Sequence, residues 1–264
     1  MTDRPSSVYW SEHQLIASRR VTFLDAPMHL LTMAETTDVA VEAMTKKVPL
    51  HHTVVNVAKL VSMQENAELR ADVSEADLIS IDGVGVVWGA QLLGVRVKER
   101  VAGVDLMERL FEISARAGFK PYLLGAEAHV LASVQRRLKR DLPTLQVAGF
   151  HDGYFKPEDE LAIVEEINTS GADCLFVAMP TPRKERFLRR HRDVLMPSFV
   201  MGVGGSFDVY GGKVTRAPKI VQKLGLEWLF RILQEPRRLW RRYYYTNTRY
   251  FGILWRAYWV PRAD

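Results

Sequence analysis

Short apolar runs alternate along this chain with amphipathic stretches of about 10 to 15 residues, and this alternation constrains the fold more than any other feature. The apolar runs are rich in β-branched and aromatic residues, which is typical of strands covered on both faces. They lie at residues 21–24, 53–57, 78–81, 121–124, 146–150, 174–178 and 199–203. The helix-like stretches lie at 33–47, 58–71, 84–93, 104–117, 128–141, 158–169 and 183–194. The pattern predicts a Rossmann-like α/β sandwich with a mostly parallel sheet.

Charge divides the chain into a neutral body and a basic tail. The net charge is +5 over 264 residues, and residues 227–264 hold eight arginines, no lysine and three acidic residues, which is the whole surplus. The same segment holds four of the six tryptophans and five of the nine tyrosines. We therefore predict a polar N-terminal segment (1–20), an α/β domain (21–225) and a basic aromatic C-terminal appendage (226–264).

Several classes of protein are excluded by composition. Cys174 is the only cysteine, so an intramolecular disulfide framework and a cysteine-based zinc site are ruled out, and a reduced cytosolic location is favoured. The first residues lack the apolar core of a signal peptide. The longest uncharged runs, such as 194–207, span about 14 residues, whereas crossing a bilayer takes roughly 20. Contact with a membrane is therefore expected only at its surface.

Four loops follow predicted strands and form a candidate ligand cleft, because ligands bind outside the carboxyl ends of parallel strands. Their distinctive residues are Asp82 to Gly85, Gly125, Lys184 within the loop at 179–185, and Gly204 to Asp208. Glycine lets backbone N–H groups approach a phosphate closely. No loop completes a dinucleotide-binding fingerprint, and each alone is compatible with an ordinary tight turn. Together they favour a ligand cleft. The histidines are scattered without metal-ligand spacing, so no metal site is expected.

Asp82 is the candidate acid–base residue. It follows an apolar strand directly, where partial desolvation raises a carboxyl pKa and suits a general base. It is equally placed to cap a helix that begins near Val84. Asp208 carries the same two interpretations, as a ligand contact or a helix cap.

The tail predicts a helix followed by a basic aromatic segment. Leu226, Leu229, Phe230 and Leu233 have helical spacing, and Pro236 ends or kinks that helix. Beyond it, arginines alternate with tryptophan and tyrosine, which suits a lipid headgroup interface. Nucleic acid also offers phosphates and stacking surfaces, and a terminal helix with a solvated face is the third interpretation.

Several blocks, in order, make the chain resemble one family. They are NVAKL (56–60), DGVGVV (82–87), ERVAGVD (99–105), a Gly-x-x-x-Gly-Tyr-Phe at 149–155, GVGGSFD (202–208), GKVTRAP (212–218), LEWLFR (226–231) and EPRR (235–238). From about residue 21 to 242 the chain resembles the WecG/TagA/CpsF glycosyltransferases, glycosyltransferase family 26.

The resemblance implies a transferase that moves a sugar from a UDP-sugar to a polyprenyl-diphosphate-linked saccharide, as in bacterial surface or exopolysaccharide synthesis. It implies an inverting reaction with no metal and no cofactor. It also implies a cytoplasmic protein held peripherally at the anionic inner face of the cell membrane by the C-terminal appendage. No nucleic-acid partner is implied, and a homo-oligomer stays open.

The resemblance also assigns roles to residues. Asp82 corresponds to the general base, and Arg100 stabilises the departing diphosphate. Arg231, Arg238 and Arg241 correspond to the arginines expected to bind the acceptor diphosphate. Donor contacts are expected from Asn56, Gly125, Lys184, Gly204, Gly205, Phe207 and Asp208. Two residues depart from the family pattern: Lys184 replaces a glutamine and Val54 replaces a threonine, so a glucosyl or uronic donor competes with the usual N-acetylmannosamine.

Two other functions remain as alternatives. A nucleic-acid-binding module would use the basic aromatic tail but gives no reason for Asp82 and the glycine loops. A noncatalytic nucleotide-binding scaffold would bind UDP yet tolerate replacement of Asp82.

Overall fold

The computed structural model describes residues 8–259, except for the side chains of Val8, Lys223 and Arg238. The strands are β1 (Arg20–Phe23), β2 (Ala26–His29), β3 (Leu50–Val55), β4 (Leu78–Ile81), β5 (Pro121–Gly125), β6 (Gly149–His151), β7 (Cys174–Ala178) and β8 (Phe199–Gly202). The first helices are α1 (Val8–Glu12), α2 (Gln14–Ser18), α3 (Met33–Lys46), α4 (Val57–Glu65), α5 (Ala67–Ser74), α6 (Val84–Leu92) and α7 (Gly103–Ala117). The others are α8 (Ala128–Asp141), α9 (Glu160–Thr169), α10 (Arg183–Arg190), α11 (Ser206–Tyr210), α12 (Lys219–Lys223), α13 (Glu227–Gln234) and α14 (Pro236–Trp259).

Six strands form one parallel sheet in the order β4-β3-β8-β7-β5-β6. Every residue of β3, β4, β5, β7 and β8 is buried, because helices cover both faces of the sheet. The prediction of an α/β fold with a parallel sheet is confirmed. Because all six strands run the same way, their carboxyl ends share one edge, and the loops singled out in the sequence lie along it.

The strand predicted at 21–24 lies outside this sheet. It becomes β1 of a separate antiparallel hairpin, in which Val21 pairs with Met28 and Phe23 with Ala26. Leu24 and Asp25 form the turn with positive φ angles. Its partner β2 was not predicted, because Pro27 interrupts an otherwise short run and proline is uncommon in strands.

The crossover helices follow the predicted positions, with one division. The single helix predicted at 58–71 is two helices, because Asn66 ends α4 and caps α5, its Oδ1 accepting the Leu69 N–H at 2.9 Å. Helix α3 begins with a capping box between Thr32 and Glu35. Helix α10 ends at Arg190, four residues before its predicted end.

The N-terminal segment predicted as polar contributes to the core. Helices α1 and α2 carry Trp10 and Ile16, and the Trp10 ring is fully buried beside α3 residues. Its Nε1–H donates to the Pro49 carbonyl at 2.7 Å, which satisfies the one polar atom of the ring.

Two helices form most of the appendage. Helix α13 ends at Gln234, and Pro236 opens the 24-residue helix α14, as the tail pattern predicted. Helix α14 packs on α4 and α6 through Tyr250 and Leu254, and the Tyr250 hydroxyl donates to the Gly85 carbonyl at 3.0 Å. In the described part of the chain, no helix is both long and apolar enough to cross a bilayer.

Candidate functional site

Asp82 and Asn56 lie side by side at the carboxyl edge of the sheet. They follow the neighbouring strands β4 and β3, and the Asp82 N–H donates to the Val55 carbonyl at 2.8 Å, which continues the ladder between those strands. Asn56 caps α4, its Oδ1 accepting the Lys59 N–H at 3.0 Å. Its Cβ also faces Gly83, the residue after Asp82, so the two turns are packed against each other.

The Asp82 carboxylate does not cap α6. Gly83 occupies the N-cap position, and no side chain caps that helix. Instead, Asp82 Oδ2 lies 3.4 Å from the Gly103 N–H, at the first turn of α7. Desolvation raises the pKa of Asp82, and the charges of Arg100 and Arg231 oppose that rise. A carboxylate whose pKa is raised by its surroundings is the kind of group that accepts a proton in catalysis.

Arg100 reaches the same place from the loop before α7. The Val101 N–H donates to the Ile81 carbonyl at 2.9 Å, which fixes this loop beside the end of β4. Arg100 Nη1 lies 3.4 Å from Glu227 Oε2 of α13, and both side chains are largely buried. The carboxylate of Glu227 also raises the pKa of Asp82. The structure therefore brings Asp82, Arg100, Glu227 and Arg231 into one electrostatic cluster.

The loop after β8 lies two strands in from Asp82. Gly204 has a φ of +52°, and Gly205 is exposed beside the half-buried Asp208. Asp208 Oδ1 is 3.7 Å from Lys213 Nζ, which also contacts Glu127 at 3.0 Å. The Phe207 ring is fully buried in the core, so a contact between Phe207 and a donor would have to use its backbone.

Backbone packing alone explains why glycine occupies position 125, without a ligand. Its φ is +118°, and a Cβ at this position would meet the Ala178 carbonyl oxygen of the adjacent strand. Glycine is therefore required where β5 and β7 approach each other most closely. The glycine signal at this position is explained by packing.

Lys184 is buried under the sheet edge and does not present its ammonium group to solvent. Its Nζ contacts the Glu185 carboxylate, which also lies 2.9 Å from Lys59 Nζ and 3.2 Å from the Thr181 hydroxyl. The stem of Lys184 packs against Gly202. Burial and the neighbouring Lys59 lower the pKa of Lys184 to about 8. Burial alone would raise the pKa of Glu185, but the two ammonium groups outweigh it and hold that pKa well below its usual value.

The appendage arginines are only partly brought to Asp82. Arg231 of α13 acts on the Asp82 carboxylate, whereas Arg241 of α14 is exposed. The side chain of Arg238 lies outside the described part of the structure. The basic tail thus supplies one cation to the cluster and leaves others at the surface.

The buried side chains of His52 and His29 form hydrogen bonds within the core at the sheet. His52 hydrogen-bonds Ser80 at 2.9 Å, and His29 accepts the Ile79 N–H at 3.0 Å. Burial lowers the pKa of His52 to about 3 and that of His29 to about 4, so both are neutral at pH 7. Within residues 8–259 no three histidine, cysteine, aspartate or glutamate side chains gather in a way that could hold a metal ion.

Sequence reasoning missed the partners of the predicted site residues. Glu227 stood inside the block at 226–231, and Arg216 stood inside the block at 212–218, yet neither received a role. Arg216 forms a bidentate ion pair with Asp105, with contacts of 2.5 and 2.7 Å. The charged residues within the recurring blocks were the signal that could have found them.

Comparison with protein-family models shows what most of the chain is similar to. The model described as "Glycosyl transferase WecG/TagA/CpsF family" matches residues 21–264. The match begins in β1 and includes Asp82, Arg100, Glu227 and the whole appendage. It extends beyond residue 242, where the resemblance read from the blocks ends.

Proposed function

Because the chain belongs to the WecG/TagA/CpsF family of glycosyltransferases, we propose that it moves a sugar from a UDP-sugar to a polyprenyl-diphosphate-linked saccharide. The observation that carries this proposal is the Asp82 carboxylate, desolvated at the end of β4 beside Arg100 and beneath α13. It supplies a base and a cation within one cluster.

In the proposed reaction Asp82 is the general base. Its carboxylate takes the proton of the acceptor hydroxyl while that oxygen attacks the anomeric carbon of the donor. The bond from that carbon to the diphosphate oxygen breaks, and UDP leaves with the bonding electron pair. A single displacement of this kind inverts the anomeric carbon. The group that takes the proton in this reaction is the Asp82 side chain, as the family resemblance implies.

Arg100 is proposed to stabilise the negative charge that grows on the departing diphosphate. Its guanidinium acts on the Asp82 carboxylate and is partly buried against α13, where electrostatic stabilisation is stronger than in bulk water. The backbone of Gly204 and Gly205, the turn at Asn56 and the Asp208 side chain are proposed to bind the rest of the donor. The paired state of Lys184 and Glu185 favours a supporting role beneath this loop over direct contact with the donor.

The appendage is proposed to hold the acceptor and dock on an anionic membrane surface. Arg231, Arg238 and Arg241 are the proposed ligands of the acceptor diphosphate. On α14, exposed residues outside the contact made by Tyr250 and Leu254 include Arg237, Trp240, Arg241, Tyr244, Phe251, Trp255 and Trp259. A helix with exposed arginines and aromatic rings suits the headgroup region, which supports the proposal that the reaction occurs at the inner face of the cell membrane.

The test compares the wild type with Asp82→Asn, using a panel of UDP-sugars and a synthetic lipid-diphosphate saccharide. We expect sugar transfer by the wild type and a loss of turnover of about 10²–10⁴-fold in the variant, since base catalysis contributes that much. UDP binding, measured by calorimetry, should be kept. Near-normal turnover by Asp82→Asn would remove Asp82 as the base, and UDP binding without transfer by the wild type would favour a noncatalytic scaffold.

A further inference from the structure

An open cavity of about 550 Å³ has Arg100 in its wall, and the other proposed donor contacts lie outside it. Its walls come from α6, the loop at 97–100, the start of α7 and the segment at 216–222. No residue of the loops after β5, β7 or β8 lines it, so it is distinct from the proposed donor site. Its volume lies in the range of pockets that hold small ligands.

Two lysines in the cavity form no close ion pair with a described residue, although Lys98 acts electrostatically on Glu35 and lowers its pKa. Asp105 is engaged by Arg216, the Glu99 carboxylate accepts the Met33 N–H at 2.9 Å, and Arg100 faces Glu227. Lys98 and Lys219 are exposed, and neither forms an ion pair with any part of the chain that the structure describes. Two exposed ammonium groups at one opening, neither held in a close ion pair by the described part of the chain, favour an anionic ligand such as a phosphate.

The rest of the cavity lining is suited to binding the hydroxyl groups and the apolar ring face of a ligand. Gln222 donates its amide N–H to the Ala217 carbonyl at 2.6 Å, which orients its own carbonyl oxygen. Gln91 lies on the opposite wall, exposed on α6. Val84, Val87 and Val97 supply the apolar part of the lining. Amides, ammonium groups and an apolar strip together match a phosphorylated saccharide better than a purely apolar ligand.

The position of the cavity relative to the sheet separates the two substrates. Asp82 follows β4, the edge strand, while the glycine loop after β8 lies two strands inward, roughly 10 Å away at the usual strand spacing. The cavity lies by α6, which follows that edge strand. In a displacement with inversion, the attacking oxygen and the leaving group occupy opposite sides of the anomeric carbon. Donor and acceptor therefore need separate pockets that meet at Asp82 and Arg100.

We propose that this cavity is the subsite for the saccharide–diphosphate head of the acceptor. Lys98 and Lys219 add phosphate contacts to those proposed for the appendage arginines. The amides of Gln91 and Gln222 bind saccharide hydroxyls. Helix α6 separates the cavity from α14, since Gly89 and Gly85 of α6 contact Tyr250. This inference rests on the proposed function, because it assigns the acceptor of that reaction.

The test measures initial rates of transfer to a short-chain prenyl-diphosphate saccharide, which does not depend on binding to vesicles. Lys98→Ala with Lys219→Ala removes the two ammonium groups, and Gln91→Trp fills the cavity from an exposed helical position. We expect the KM for the acceptor to rise about tenfold or more in each variant, since a hydrogen bond to a charged group contributes roughly 1.5–3 kcal/mol. The KM for the UDP-sugar should change by less than twofold.

The controls are Arg96→Ala, a cation in the same loop that does not line the cavity, and Gln135→Trp on α8. Both should keep the acceptor KM of the wild type. Thermal unfolding checks that each variant is folded. An unchanged acceptor KM in the cavity variants, or a rise confined to the KM for the UDP-sugar, would overturn the assignment while transfer by the wild type still stands. Absence of transfer by the wild type would instead reject the proposed function.

Discussion

The parallel-sheet body and the C-terminal appendage use the same residue types in opposite ways. In the body, α10 and the turn after it place Arg186, Arg189 and Arg192 against carboxylates of and after α5, with contacts between 2.6 and 3.1 Å. In the appendage, the arginines at 237, 241, 242 and 256 form no ion pair with any described residue. The three arginines of the body hold two helices together, whereas these four of α14 are available to a ligand outside the chain; Arg249 of α14 instead contacts Glu65 at 3.5 Å.

The aromatic residues show the same difference. Phe111, Phe176, Phe199 and Phe207 are fully buried and pack near the sheet. On α14, Phe251, Trp255 and Trp259 are 70%, 68% and 62% exposed. Large rings left in water over one face of a helix are uncommon unless another surface covers them. Composition alone therefore does not identify a binding surface, whereas pairing and burial do.

The largest expected effect concerns the free arginines. Replacing Arg237, Arg241, Arg242 and Arg256 with glutamine should weaken binding to vesicles rich in anionic lipid about a thousandfold, because each basic residue near such a surface contributes about 1 kcal/mol. Co-sedimentation with vesicles of graded anionic content measures it. Wild-type binding should also weaken as salt rises.

The matched control replaces four arginines of the body, Arg96, Arg109, Arg116 and Arg136, with glutamine. It removes the same net charge, so equal loss of binding in both variants would show that total charge, and not the appendage, attracts the membrane.

The next effect tests the buried ion pairs of the body. Glu185→Gln should lower the free energy of unfolding by about 3 kcal/mol or more, because Lys59 and Lys184 lose their buried carboxylate. The exposed pair of Glu68 with Arg186 is the control, and Glu68→Gln should cost less than about 1 kcal/mol. Urea titration compares them.

The pH dependence of this effect has a definite sign. The pKa of Glu185 is held below its usual 4.5, so its stabilising contribution is complete above that pH and is lost as the pH falls below it. The difference between wild type and Glu185→Gln should therefore shrink in acid. A difference that stays constant from about pH 7 to about pH 3 would contradict this account of the cluster.

A smaller effect concerns one ring on the outer face of α14. Trp255→Ala should reduce vesicle binding roughly tenfold, as expected when one large apolar side chain no longer leaves water. The loss should persist at high salt, unlike that of the arginine variant. Tyr154→Ala, which removes a ring of the body that is exposed to a similar extent, should leave vesicle binding unchanged.

Much of the fold was predictable because it depends on local pattern. The buried strands β7 and β8 are continuous apolar runs, and the crossover helices show clear periodicity. The hairpin partner β2 and the division at Asn66 were not predictable in this way. The first depends on pairing between strands and the second on one side chain that caps a helix.

The site was predictable only in part, for a physical reason. Asp82 could be found because its place after a strand is a local property. The contact of Arg100 with Glu227 joins residues 127 positions apart, and the pairing of Lys184 with Lys59 and Glu185 depends on how α10 packs on the sheet. The departure from the family pattern at Lys184 suggested a contact with an anionic donor, whereas the fold supplies a carboxylate from the adjacent residue.

The smallest expected effect arises where the two regions meet, at Glu227. Its carboxylate raises the pKa of Asp82, while Arg100, Arg231 and the Gly103 N–H lower it. Glu227→Gln should therefore lower the pKa of Asp82 and move the acidic limb of the kcat/KM profile to lower pH, by a fraction of a unit. Glu235→Gln, which removes the same charge at the other end of α13, should leave the limb in place. A shift to higher pH in Glu227→Gln would mean that Glu227 supports the ionised form of Asp82, through its hold on Arg100, more than it repels it.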